Sequence, residues 1–125
     1  MKNNYLISCK EDYVEATSDG PMTLNCMIQL WSKIIHTCKE CTCTKILNIS
    51  NSVTPITVSE AINHLKSFEH LGITNDYRVA LVELNPVCGE SSLLVESLLS
   101  SYGMDIRSFL DIEDAKSWLF FGRKI

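Results

Sequence analysis

Residues 77–84 carry Val79-Ala80-Leu81-Val82, four apolar side chains in a row. An extended chain sends successive side chains to opposite faces, so this strand is apolar on both. That is the signature of a central parallel strand covered by helices on both sides. Lys45–Ile49, with Ile46, Leu47 and Ile49, reads as a second buried strand. Parallel strands need crossovers of a dozen or more residues, so helices are required between them. The spacing supplies them. Leu24, Met27, Ile28, Trp31, Ile34, Ile35 and Cys38 recur at helical intervals from Thr23 onward. Thr57-x-x-Glu60 forms a capping box ahead of Ala61, Ile62, Leu65 and Phe68, and Gly72 suits the end of that helix. Ser91–Tyr102 carries Leu94, Val95, Leu98 and Leu99 and stops at Gly103.

The ends complete the order. Tyr5–Cys9 and Tyr13–Thr17 read as a hairpin, and Ser18-Asp19-Gly20-Pro21 breaks it. Met104–Leu110 reads as a last strand. Asp111 then caps a helix with Ile112, Ala115, Trp118 and Leu119 inward, and Phe120–Ile125 follows as a tail. The predicted order is ββαβαβαβα. It describes an α/β protein with a mostly parallel sheet of about five strands, an antiparallel N-terminal hairpin and about four helices. The 125 residues fit one domain, 1–125.

Composition narrows the function. A net charge of −4 argues against a nucleic-acid binder, which needs clustered Lys and Arg. The N-terminus lacks the h-region of a signal peptide, and no apolar run is long enough to span a bilayer. The expectation is a soluble, cytoplasmic protein. Its six cysteines are then expected as thiols.

The last segment, Ile106-Arg107-Ser108-Phe109-Leu110-Asp111-Ile112-Glu113-Asp114-Ala115-Lys116-Ser117-Trp118-Leu119, resembles the Arg-x-Phe strand, acidic cap and Ala-x-x-Trp-Leu helix of SpoIIAA-like proteins, or STAS domains. The resemblance is to their stand-alone bacterial members. Gly20-Pro21-Met22-Thr23 and Tyr77-Arg78-Val79-Ala80-Leu81-Val82 look like the same set. The resemblance implies a SpoIIAA-like fold, and a non-enzymatic regulatory or binding role toward a protein partner or a small apolar ligand. Phosphorylated members carry an Asp-Ser-Ser-Gly-like motif after the first buried parallel strand. Here Asn48-Ile49-Ser50-Asn51-Ser52-Val53-Thr54-Pro55 stands instead, without the acid or the glycine, and Pro55 removes a backbone donor.

Two constellations compete for function. In open α/β sheets ligands sit beyond the carboxyl ends of the strands, at a switch point. Ser50, Asn51, Ser52, Thr54, Asn85 and Cys88 fall there and are the candidate ligand- or partner-binding residues. Turn formation and capping explain the same residue types. The alternative is His36-x-Cys38-x-x-Cys41-x-Cys43, a soft donor set for a metal ion or a thiol-redox loop. Cys38 also continues the apolar helix stripe, which makes it a packed small hydrophobe. No dyad for catalysis is specified, so no enzyme, cofactor or metal is expected. An apolar ligand would need a cavity lined by residues such as Trp31, Leu65 and Leu94. Phe120-Phe121 offers a patch on which a homodimer can form.

Overall fold

The computed structural model describes residues 4–20, 23–53, 57–72, 76–101 and 103–121. In chain order come β1 (Asn4–Cys9), β2 (Val14–Gly20), α1 (Leu24–Cys41), β3 (Lys45–Ser52), α2 (Val58–Leu71), β4 (Arg78–Glu83), α3 (Gly89–Ser101), β5 (Asp105–Phe109) and α4 (Ile112–Phe121). A 3-10 turn, Pro86–Cys88, leads into α3. This is the predicted ββαβαβαβα order. The five strands form one sheet in the order β1-β2-β3-β4-β5. β1 and β2 are antiparallel and the other three pairs are parallel.

A sequential strand order has a strong consequence. Each parallel crossover is right-handed and moves one strand in the same direction, so α1, α2 and α3 share one face of the sheet. The core on that face joins Met27, Leu30, Trp31, Ile34, Ile35 and Cys38 of α1 and Leu99 of α3 to Val14, Ala16, Ile46, Val79 and Leu81. α2 packs between α1 and α3. Among the described residues only α4 covers the opposite face, where Ala115 and Leu119 meet Leu47, Ile49, Ala80 and Val82. β3 and β4 are buried on both sides as their apolar runs predict. The order of the described strands never reverses, so the sheet has no switch point of the doubly wound kind.

Local chemistry sets the boundaries. Thr23 caps α1 by accepting from the Cys26 N–H at 3.2 Å. Thr42 ends it in the left-handed region with φ 57°. The capping box forms as read: Thr57 N–H donates to Glu60 Oε1 at 2.9 Å, and Glu60 N–H donates to Thr57 Oγ1 at 3.2 Å. Asp111 caps α4 by accepting from Asp114 N–H at 2.8 Å.

Several boundaries differ from expectation. β2 runs on through Ser18-Asp19-Gly20, and β3 through Ser50-Asn51-Ser52, because these stretches pair with each other in register. Gly20 closes β2 at φ 113°, which only glycine adopts without strain. α1 extends three residues past Cys38. α4 runs through Phe120 and Phe121, where the sequence predicts a tail; Phe120 stacks edge-on to Tyr13 at 5.2 Å. Pro21, Met22, Thr54, Pro55 and Tyr102, and the side chains of Leu24, His64, Leu65 and Phe68, lie outside the described residues. No helix among the described residues is long and apolar enough to cross a membrane.

The thiol expectation fails for two of the six cysteines. Cys9, at the end of β1, is disulfide-bonded to Cys41, at the end of α1, with the Cα atoms 6.4 Å apart. The sequence separation of 32 residues hid this pairing. It arises because the end of α1 returns to the amino-terminal edge of β3, near the turn of the hairpin. Reducing this bond removes a chain constraint worth about 2–4 kcal/mol. Denaturant melts with and without a phosphine reductant should show a loss of that size, and Cys9→Ala should show it without reductant.

Cys38 is buried, and burial first, then the neighbouring Cys43, pushes its thiol from 9.0 up to about 12. The folded state therefore keeps a proton that the unfolded chain releases. The stability this contributes is whole below about pH 9 and is lost as pH rises toward 12. Stability measured across that window should fall with pH. Cys38→Ala should flatten the slope, and the raised Tyr13 and Tyr77 hydroxyls should leave a residual one.

Candidate functional site

The candidate residues cluster at the carboxyl ends of β3 and β4. Alternation along β3 puts Ile46, Asn48, Ser50 and Ser52 on the face that carries three helices, and Leu47, Ile49 and Asn51 on the α4 face. The β3–β4 register sets Ser50 opposite Glu83. The Glu83 carboxylate accepts four hydrogen bonds. Ser50 Oγ donates at 3.2 Å, Ser52 Oγ at 2.6 Å, Ser52 N–H at 3.0 Å and Asn85 N–H at 3.1 Å. Among the described residues no Lys, Arg or His pairs with it. Its charge is held by neutral donors, two of them backbone amides that β-pairing leaves free at the strand ends.

Asn85 and Cys88 complete the cluster. Asn85 Nδ2 donates to the Ser52 carbonyl at 2.6 Å, and its Oδ1 accepts from Val87 N–H at 3.1 Å, capping the 3-10 turn. Cys88 is buried, with Sγ 3.8 Å from the same Ser52 carbonyl. Burial, then the Glu83 charge, raises its thiol, so it is neutral at ordinary pH and is a poor nucleophile. The structure thus brings together Ser50, Ser52, Asn85 and Cys88. Asn51 sits exposed on the other face, lining a cavity of about 440 Å³ with Leu6, Thr17, Asp19, Ile49 and Leu84. Thr54 lies outside the described residues.

Glu83 is the centre of this arrangement, and the sequence reading passed over it as a strand end. The signal was available. Aligning the two apolar runs side by side places the single acid after Val82 against Ser50. Asn48, one repeat inward from Ser50, is 5% exposed, and its Oδ1 has no hydrogen-bond partner. Its neighbours in register are Ala16 and Leu81.

The other cysteine loop divides. Cys41 is bonded to Cys9, Cys38 is buried in the core, and Cys43 Sγ donates to the Cys41 carbonyl at 3.6 Å. His36 is exposed and pairs with Glu40. Among the described residues no three His, Cys, Asp or Glu side chains converge in a way that holds a metal ion.

Exposed aliphatic side chains stand near the polar cluster. Val53 after β3, Val87 in the 3-10 turn, Leu93 in α3 and Leu110 after β5 are all exposed, Leu110 at 91%. Leu93 and Leu110 line a second cavity of about 370 Å³ with Glu83, Pro86, Glu90 and Phe109.

Strand order, the antiparallel hairpin and α4 alone on the far face decide the fold. It is SpoIIAA-like. A solved structure with a SpoIIAA-like fold, of an uncharacterised DUF3478-family protein from Shewanella loihica PV-4, superposes with a TM-score of 0.56. The match covers 94% of this chain and 93% of that one, at 16% identity, and so concerns the fold alone. No family profile and no curated protein matches the chain.

If Glu83 is the clamp of this SpoIIAA-like edge, Glu83→Ala strands the Ser52 and Asn85 amides. It should lower stability by about 2–4 kcal/mol, and Ser52→Ala by about 1 kcal/mol. Because both act on one network, the double variant should lose clearly less than the sum of the two, read from urea melts.

Proposed function

We propose that this SpoIIAA-like chain is a non-enzymatic binding module that engages a protein partner at the carboxyl-end rim of its sheet. The observation that carries this reading is the contrast within that rim. The polar groups of Ser50, Ser52 and Asn85 turn inward onto Glu83, whereas aliphatic side chains from four separate segments turn outward. An internal clamp fixes the loops, and the fixed loops present the apolar side chains. Rigid loops lower the entropy lost on association. Leu93 and Leu110 line one cavity, and adjoining exposed apolar side chains mark an interaction site more often than isolated ones do.

The chemistry of the rim also describes its partner. The cavity beside Leu93 and Leu110 is large enough for one bulky apolar side chain, and Glu83 and Glu90 border it. A partner segment with an aromatic or aliphatic anchor flanked by Lys or Arg would complement it. The small apolar ligand considered from the sequence has less to rest on. Trp31 is packed in the core, and neither it nor Leu94 lines the cavities described. A cytoplasmic location belongs to the same proposal and carries its own consequence: there the Cys9–Cys41 pair would be held reduced.

The test is a photo-crosslinking residue placed in the full chain in its native host. Positions Val87 and Leu110 should give one discrete protein adduct, and Glu69 on the exposed side of α2 should give none. Leu93→Asp should abolish the adduct while leaving the melting temperature within about 2 °C, as expected at an exposed site. Equal adducts from Glu69, or none from the rim, would refute the reading.

A further inference from the structure

The two outer strands of the sheet are treated differently. At β5 the side chains of α3 occupy the backbone: Ser108 N–H donates to Glu96 Oε1, and Ser100 Oγ donates to the Ile106 carbonyl at 3.4 Å. Ser92 and Ser108 hydroxyls add a further contact at 3.2 Å. Side chains that satisfy an outer strand prevent another strand from adding to it. β1 has no such cover among the described residues. Its bonds run to β2, and α1 packs against one face of it through Tyr5 and Ile7. Among the described residues nothing bonds to the outward-facing N–H and C=O groups of Asn4–Cys9. The strand contains no charged residue, no proline and no glycine to discourage pairing.

We propose that β1 pairs with β1 of a second copy of this chain, antiparallel, to give a continuous ten-stranded sheet. The side chains choose the occupant. Asn4-Tyr5-Leu6-Ile7-Ser8 has the same polarity pattern read in either direction. Opposed residues of an antiparallel pair must lie on the same face. A twofold axis through Leu6 meets that condition. It sets Asn4 against Ser8 and Tyr5 against Ile7, and it sets the two Leu6 side chains against each other. Leu6 is 67% exposed on the face that α4 leaves bare. Within Asn4–Ser8 no like charges oppose one another. This surface is separate from the rim assigned to a protein partner, so the two readings stand or fall independently.

A strand-to-strand contact of this length buries less than the roughly 800 Å² per partner of a stable interface, so the dimer is weak. In sedimentation velocity the 14.1 kDa species should shift toward twice its mass as the full chain is raised from about 10 µM to about 1 mM. Leu6→Lys should push that transition up at least tenfold in concentration. Its melting temperature should not change, which separates lost pairing from lost folding. Leu6→Cys should give a covalent dimer under mild oxidation. Thr17→Cys, on inner strand β2, should give no more than the wild-type chain. A chain that stays monomeric to 1 mM overturns the proposal and leaves the open strand to a heterologous peptide. A dimer that is indifferent to Leu6→Lys overturns it as well and moves self-association elsewhere, such as to the exposed Phe121.

Discussion

The pairing of β3 with β4 is the constraint from which the rest of this molecule follows. Both strands are apolar on both faces, so both must be covered twice, and neither can lie at the margin of a sheet. Their register aligns Ile46 with Val79, Leu47 with Ala80 and Ile49 with Val82. The alignment builds two cores at once, one under α1 and α3 and one under α4. It also fixes, four residues on, that Ser50 meets Glu83. The polar clamp is therefore a product of the apolar register: a slip by one residue would move Glu83 to the α4 face, away from the Ser50 and Ser52 donors of β3.

The same pairing explains why the two faces differ. With strands added strictly in sequence, right-handed crossovers leave three helices on one side. α4 is the cover on the other among the described residues, and it lies over β3, β4 and β5. It is anchored by Trp118, which lies under the Arg78 guanidinium at 4.1 Å and beside Phe109 at 5.6 Å. β1 is left bare on that side, which is why Leu6 is exposed. A doubly wound sheet would have gained a crevice where its order reverses. This sheet has instead a fixed rim and an open flank.

Most of the architecture was legible because it depends on periodicity. The α1 stripe, the capping box at Thr57 and Glu60, the Asp111 cap and the four-residue run in β4 are each written in adjacent residues. What escaped the sequence depends on pairs remote in the chain. Ser18–Gly20 and Ser50–Ser52 read as loops, because serine, asparagine and glycine favour turns locally; parallel pairing overrides that preference. Cys9 and Cys41 are 32 residues apart, and nothing in their own neighbourhoods distinguishes them from the other four cysteines. Glu83 was hidden for a related reason. A lone acid at a strand end looks like solvent-facing punctuation until the facing strand supplies its donors. The carboxyl-end location of the candidate site was readable, but the direction of its side chains was not.

The disulfide and the open strand bear on each other. A terminal hairpin strand with one neighbour is weakly held, since a two-stranded unit is marginal alone. β1 gains its hold from α1. Tyr5 and Ile7 pack on the helix-side core, Lys33 lies over the Tyr5 ring at 5.1 Å, and Cys9 is bonded to Cys41. All of these anchors act on one face or at one end of the strand. None occupies its outward backbone groups. An outer strand fixed in this way does not need a second ladder to stay in place, yet it remains in the extended geometry that a second ladder requires. The fixing of β1 by α1 and the availability of its edge are thus one arrangement. Its physical origin is that α1 packs onto the face of the strand instead of wrapping around its side.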